Sequence, residues 1–92
     1  VLLVPTPGHT LGHQSVILQE SDKTIFFAGD ASFNEAQVSQ GKIAGISVDG
    51  RQARTTLSRI RQLGAQVPLV YLPAHDAGTA ERLAARQVST FQ

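Results

Sequence analysis

The run Thr24-Ile25-Phe26-Phe27-Ala28 is apolar or β-prone at every position. Successive side chains of a strand point to opposite faces. A strand without a polar face must therefore be covered above and below, which makes it a central strand of a layered fold. The whole chain has 92 residues, enough for one small domain. A chain of that size hides only about 60–65% of the surface it exposes when unfolded. Cover for both faces of a central strand is the scarce resource here.

The other elements follow from punctuation and period. Val1–Val4 reads as a buried strand stopped by Pro5, Pro7 and Gly8. Ser15–Gln19 is a second strand, joined to Thr24–Ala28 by the polar turn Glu20-Ser21-Asp22-Lys23. Asn34 caps a short helical turn through Val38, broken by Gly41 and Gly45. Asp49 with Gln52 resembles a capping box. Ala53, Leu57, Ile60 and Leu63 then form an apolar stripe at helical spacing, with Gly64 as the stop. Pro68–Leu72 is a further strand. Thr79 caps a last helix with inner face Ala80, Leu83, Ala84, Val88 and Phe91. The order is strand, strand, strand, short helix, helix, strand, helix, an α/β arrangement. A strand at the first residue, with no lead-in, predicts that the chain is a piece cut from a larger domain.

Composition narrows the function. With no cysteine, a disulfide scaffold, thiolate catalysis and cysteine-bound zinc are excluded; a cytoplasmic setting is expected. Net charge is +1, which gives no electrostatic case for nucleic acid. Arg51, Arg54, Arg59 and Arg61 are interspersed with glutamine and serine and read as a solvated helix face. No run approaches the ~20 apolar residues of a membrane span. Gly12-His13-Gln14-Ser15-Val16 is not a nucleophile elbow, and no phosphate-binding glycine motif is present. Tyr71, amid an apolar strand, reads as core.

His9, Asp30 and His75 remain, each following a strand-like run. If those strands share a sheet with their C-terminal ends at one edge, the three side chains converge. Two imidazoles and a carboxylate suit zinc or a similar divalent ion. On spacing alone, a turn histidine, an Asx-turn aspartate and a loop histidine explain them equally well.

The literal strings add a resemblance. Thr6-Pro7-Gly8-His9-Thr10-Leu11-Gly12-His13 resembles the TPGHTPGH element of the metallo-β-lactamase superfamily. Gly29-Asp30 resembles its bridging-aspartate element, and Leu72-Pro73-Ala74-His75-Asp76 its last metal-histidine element. Within the superfamily, Gly12-His13-Gln14-Ser15 and Gly29-Asp30-Ala31-Ser32 are most similar to N-acyl homoserine lactonases. The resemblance covers nearly the whole chain, but only the C-terminal half of the family's domain. It implies half of an αββα sandwich spanning residues 1–92: a mixed sheet with helices on one face. It implies two divalent ions, zinc foremost, with His9, Asp30 and His75 as ligands and Asp30 also relaying a proton. His13 matches a histidine that orders the loop rather than binding metal. The resemblance implies a small lactone or ester as substrate, and Phe33 through Ile46 as the lining of its acyl pocket.

This sequence departs from the family's pattern in two places. The HxHxDH motif, source of four ligand positions, is absent, so the site is incomplete. The chain alone is expected to be inactive and to need the missing half or self-association. Phe33 stands where the lactonases commonly carry a tyrosine, and lacks its hydroxyl. The alternatives are a thioester hydrolase of the glyoxalase II type, or a non-catalytic interaction module with relic ligands.

Overall fold

In the computed structural model, which describes residues 1–32, 34–41 and 49–91, four strands form one mixed sheet in the order β1-β2-β3-β4. β1 (Leu2–Pro5) and β2 (Gln14–Glu20) are antiparallel, as are β2 and β3 (Lys23–Gly29). β4 (Leu69–Pro73) runs parallel to β3. A parallel neighbour requires a crossover, and α1 (Glu35–Gln40) and α2 (Gly50–Gln66) lie along it. α3 (Thr79–Ala85) follows β4. The strand and helix order is the one read from the sequence.

Helix starts follow the local chemistry. Asn34 Oδ1 accepts from the Gln37 N–H at 3.0 Å, and Asp49 Oδ1 from the Gln52 N–H at 3.0 Å, each satisfying an otherwise orphaned donor. Gly41, at φ 68°, ends α1. The stripe on α2 is buried at Ala53, Leu57 and Ile60, and its four arginines are exposed.

Three expectations about the helices are corrected. Gly64 does not stop α2, which continues to Gln66. Gly64 instead lies where a Cβ would sit 2.8 Å from Phe91 Cδ2, so the ring needs the gap. Thr79 does not cap α3: Gly78 holds that position without a side-chain bond, and the Thr79 hydroxyl donates to the Pro73 carbonyl at 2.7 Å. The inner face of α3 is shorter than the stripe suggested. Arg86 adopts a left-handed conformation after Ala85 and ends the helix. Ala80, Ala84 and Val88 are exposed, leaving Leu83 as the packed residue of the helix; Phe91, beyond the helix end, packs edge-on against Tyr71.

Cover for the sheet is uneven. The row Leu2, Ile17, Phe26 and Tyr71 crosses all four strands on one face. Phe26 and Tyr71 pack there with Val38 of α1 and with Leu57 and Ile60 of α2. The row Leu3, Val16, Phe27 and Leu72 crosses the other face. α1 and α2 occupy the first face, whereas Leu83 of α3 meets Ile25, Val70 and Leu72 on the second. Both rows are buried at β4 and emerge towards β1; the first strand, expected to be buried, lies at the sheet edge beyond the helices, with Leu2 and Leu3 59% and 60% exposed. The central strand is thus covered as its sequence requires, apart from Phe27, which is 38% exposed. Residues after α3 then turn past the outer side of β4. The Ser89 N–H donates to the Leu69 carbonyl at 2.7 Å, and its hydroxyl accepts from the Tyr71 N–H at 3.1 Å.

Candidate metal centre

The site lies at the ends of β1, β3 and β4, and its loops are tied to one another by backbone bonds. The Thr6 N–H donates to the His13 carbonyl at 3.0 Å and closes the loop that carries His9. That loop is held against α2: the Asp49 N–H donates to the Gly8 carbonyl at 3.0 Å, and the Thr56 hydroxyl to the Pro7 carbonyl at 2.7 Å. A register shift between Phe27 and Gly29 marks the end of β3. Gly29 then takes φ 58°, a region that favours glycine. Its carbonyl accepts from the Ala74 N–H at 2.9 Å, fixing the residue before His75 relative to the residue before Asp30.

These tethers bring the three sequence-identified residues together. His9 Nε2 lies 3.6 Å from Asp30 Oδ2, and His75 Nε2 lies 2.9 Å from Asp30 Oδ1. Each carboxylate oxygen thus faces a different imidazole. Asp30 is about one-third exposed and His75 more so, with His9 the most enclosed. Among the described residues, no group of three or more His, Asp or Glu side chains is arranged to hold an ion by itself. The arrangement is two pairs sharing one carboxylate. Phe33 and Ile46, expected to line a substrate pocket, lie outside the described residues.

His13 sits behind the carboxylate. Its Nε2 accepts from the Asp30 backbone N–H at 3.0 Å, and its Nδ1 lies 2.8 Å from Thr6 Oγ1. Its ring meets that of His9 edge-on, with centroids 6.4 Å apart. A second support was not found from the sequence. Asp76, next to His75, accepts from the N–H groups of Gly78 at 2.8 Å and Glu35 at 3.1 Å, and from Arg82 at 3.3 Å. Burial pushes the Asp76 carboxyl up, but the two backbone donors and Arg82 outweigh it and hold it below the usual range. Arg82 Nε also approaches Glu35 Oε2 at 3.0 Å. That contact is ionic: Glu35 Oε2 is buried with no aligned hydrogen-bond donor. Arg82 further donates to the Tyr71 carbonyl at 2.9 Å. Only the Asp76–Arg82 spacing, opposite charges across a helix start, hinted at this hub. Tyr71 is core, as expected. Burial raises its phenol, whose hydroxyl bonds Ser32 Oγ at 2.8 Å.

The family model of the metallo-beta-lactamase superfamily matches residues 1–75, and the chain belongs to that superfamily. Comparison with curated proteins gives no match. Among solved structures, an N-acyl homoserine lactone hydrolase with the product N-hexanoyl-L-homoserine at its catalytic metal centre is 23% identical. Its TM-score is 0.72 over 94% of this chain and 33% of that one. A variant of AiiA from B. thuringiensis with N-decanoyl-L-homoserine at its active site has the same identity, TM-score and share of this chain. A beta lactamase superfamily hydrolase, AbOPH, is 24% identical with a TM-score of 0.70 over 80% of this chain and 26% of that one. At these identities the likeness establishes the fold. The chain spans about a third of the length of the structures it matches.

Proposed function

We propose that this chain supplies one side of a two-metal hydrolytic centre, and that the complete protein opens N-acyl homoserine lactones. The observation that carries this reading is the division of Asp30, with one oxygen facing His9 and the other His75. Imidazole nitrogens and carboxylate oxygens are the donor types that divalent zinc takes. The donor set therefore fits in kind. It is short in number, because four donors per ion are usual and each side here has one imidazole and a share of Asp30. The remaining ligands belong to the missing half of the domain, or to a second copy.

Metal ions held there would polarise the lactone carbonyl and bring the acidity of water towards neutrality. The chain's own residues would do the rest. His9 and His75 hold position through loops tied at Gly8 and Ala74. The Asp30 carboxylate takes up the proton released as water adds to the carbonyl. As the ring C–O bond breaks, Asp30 returns that proton to the ring oxygen, which leaves as a hydroxyl. Phe33 and Ile46 line the acyl pocket in this reading. A cytoplasmic setting belongs to it as well, resting on the cysteine-free sequence.

A thioester hydrolase would use the same donors, and the neighbours that hold N-acyl-L-homoserines, the ring-opened form of such lactones, support the first reading. A non-catalytic module is favoured by one observation, the want of any self-sufficient three-donor group among the described residues. Zinc titration of the chain separates these readings. Uptake by the wild type, weakened at least about 10-fold in Asp30→Asn and in His75→Ala, is expected for metal ligands. Equal uptake by wild type and Asp30→Asn would remove Asp30 from the metal assignment. Hydrolysis of a lactone, compared with a thioester, by the completed domain then identifies the substrate class.

A further inference from the structure

The hydrogen bonds behind Asp30 have a direction that the atoms themselves dictate. At one end stands the Asp30 backbone N–H, which can only donate; His13 Nε2, 3.0 Å away, must accept. An accepting Nε2 makes the ring neutral and places its one proton on Nδ1. Nδ1–H then donates to Thr6 Oγ1 at 2.8 Å. At the other end stands the Ala28 carbonyl, which can only accept. Ser15 Oγ, 3.3 Å away, donates to it. Ser15 has spent its proton, so the Thr6 hydroxyl donates across the 2.8 Å to Ser15 Oγ.

We infer that Asp30 N–H, His13, Thr6, Ser15 and the Ala28 carbonyl form a one-way hydrogen-bond chain, and that Thr6, through His13, is a positioning residue for Asp30. The chain starts and ends on the same turn, two residues apart, and so clamps the backbone from which the carboxylate projects. Thr6 and Ser15 are both buried, so water does not readily replace either hydroxyl. Hydrogen bonds in a chain of this kind polarise and strengthen one another, and loss of one hydroxyl breaks its continuity. The Ala28 carbonyl also accepts from the Ala31 N–H at 3.1 Å, which closes the turn from its other side. His13 is thereby kept from acting as a ligand at Nε2. The effect on metal uptake rests on the reading of Asp30 given above; the chain itself does not.

The test compares the wild type with Thr6→Val, which keeps the shape and removes the hydroxyl, and Thr6→Ser, which keeps the hydroxyl. Nitrogen-15 NMR of the histidine rings in mildly alkaline buffer reads the tautomer. Amide exchange reads Asp30 against Val70, which lies in the distant core. The wild type and Thr6→Ser should carry the His13 proton on Nδ1. Thr6→Val should shift it, speed Asp30 amide exchange about 10-fold or more, and leave Val70 unchanged. A wild-type His13 protonated on Nε2 overturns the inference, as does Asp30 exchange that Thr6→Val leaves unaltered. If Thr6→Val also accelerates Val70, the fold has loosened and the wild-type tautomer alone decides. Zinc titration of the same proteins should show uptake weakened about 10-fold or more in Thr6→Val and restored in Thr6→Ser. Absence of zinc uptake by the wild type would defeat the metal reading, while the tautomer and exchange results would still decide the positioning role.

Discussion

At the scale of single residues, Gly29 joins several constraints at the site. Its φ of 58° costs a side-chain-bearing residue roughly 1–2 kcal/mol. A Cβ there would also stand 3.0 Å from His13 Nε2. Its carbonyl holds Ala74, and its neighbour Asp30 faces both histidines. Gly29→Ala is therefore expected to lower stability by about 1–3 kcal/mol, read by chemical denaturation, and to disturb the His13 ring signals. A loss below about 0.5 kcal/mol would show that the turn relaxes freely. The three candidate ligands were legible in the sequence because each follows an apolar strand and a proline or glycine. Thr6 and Ser15 were not. A threonine before a proline and a serine on a strand look like ordinary turn and strand residues, and only tertiary contact joins them to His13.

At the scale of elements, the sequence was most informative where the physics is local. Asn34 and Asp49 cap their helices, and the stripe on α2 is buried, because both effects act within a few residues. It was less informative where distant contacts intervene. Gly64 resembled a helix stop, but Phe91, 27 positions later by the numbering, occupies the space beside it. Thr79 resembled a cap, but the Pro73 carbonyl takes its hydroxyl. The end of β2 and the end of α3 are joined by another contact without local signature: Arg86 Nε lies 2.6 Å from Glu20 Oε1. The hydrogen bond from Arg86 is the main cause that holds the Glu20 carboxyl below its ordinary value of 4.5. A carboxyl lowered by folding contributes stability above its unfolded pKa and loses it as pH falls through the folded value. Arg86→Gln should return the Glu20 midpoint towards 4.5 in an NMR titration of its side-chain carboxyl. Its thermal midpoint should approach that of the wild type as the solution is acidified. An unchanged Glu20 midpoint would mean that the pair does not persist in solution.

At the scale of the whole molecule, cover runs out in one direction. Both apolar rows are buried at β4 and exposed at β1. Beside β1 and β2, on the face shared with α2, lies a cleft of about 190 Å³ lined by Val4, Ile17, Phe26, Ile60 and Leu63, among others. Exposed contiguous apolar surface favours association. The chain at high concentration should therefore sediment as more than a monomer, and the pair Leu2→Lys with Leu3→Lys should weaken that association about 10-fold or more. The melting temperature should barely change, since exposed substitutions rarely matter by more than ~0.5 kcal/mol. A wild type that stays monomeric at every concentration would show that this surface is tolerated in water. The bonds from Ser89 to Leu69 and Tyr71 give the sheet a direction of growth. A serine in an irregular segment occupies hydrogen-bonding positions on β4 that an added strand would need. Among the described residues, the lane left for a fifth strand, whether from a longer form of this polypeptide or from a neighbour, runs alongside β1, the edge strand whose following loop carries His9.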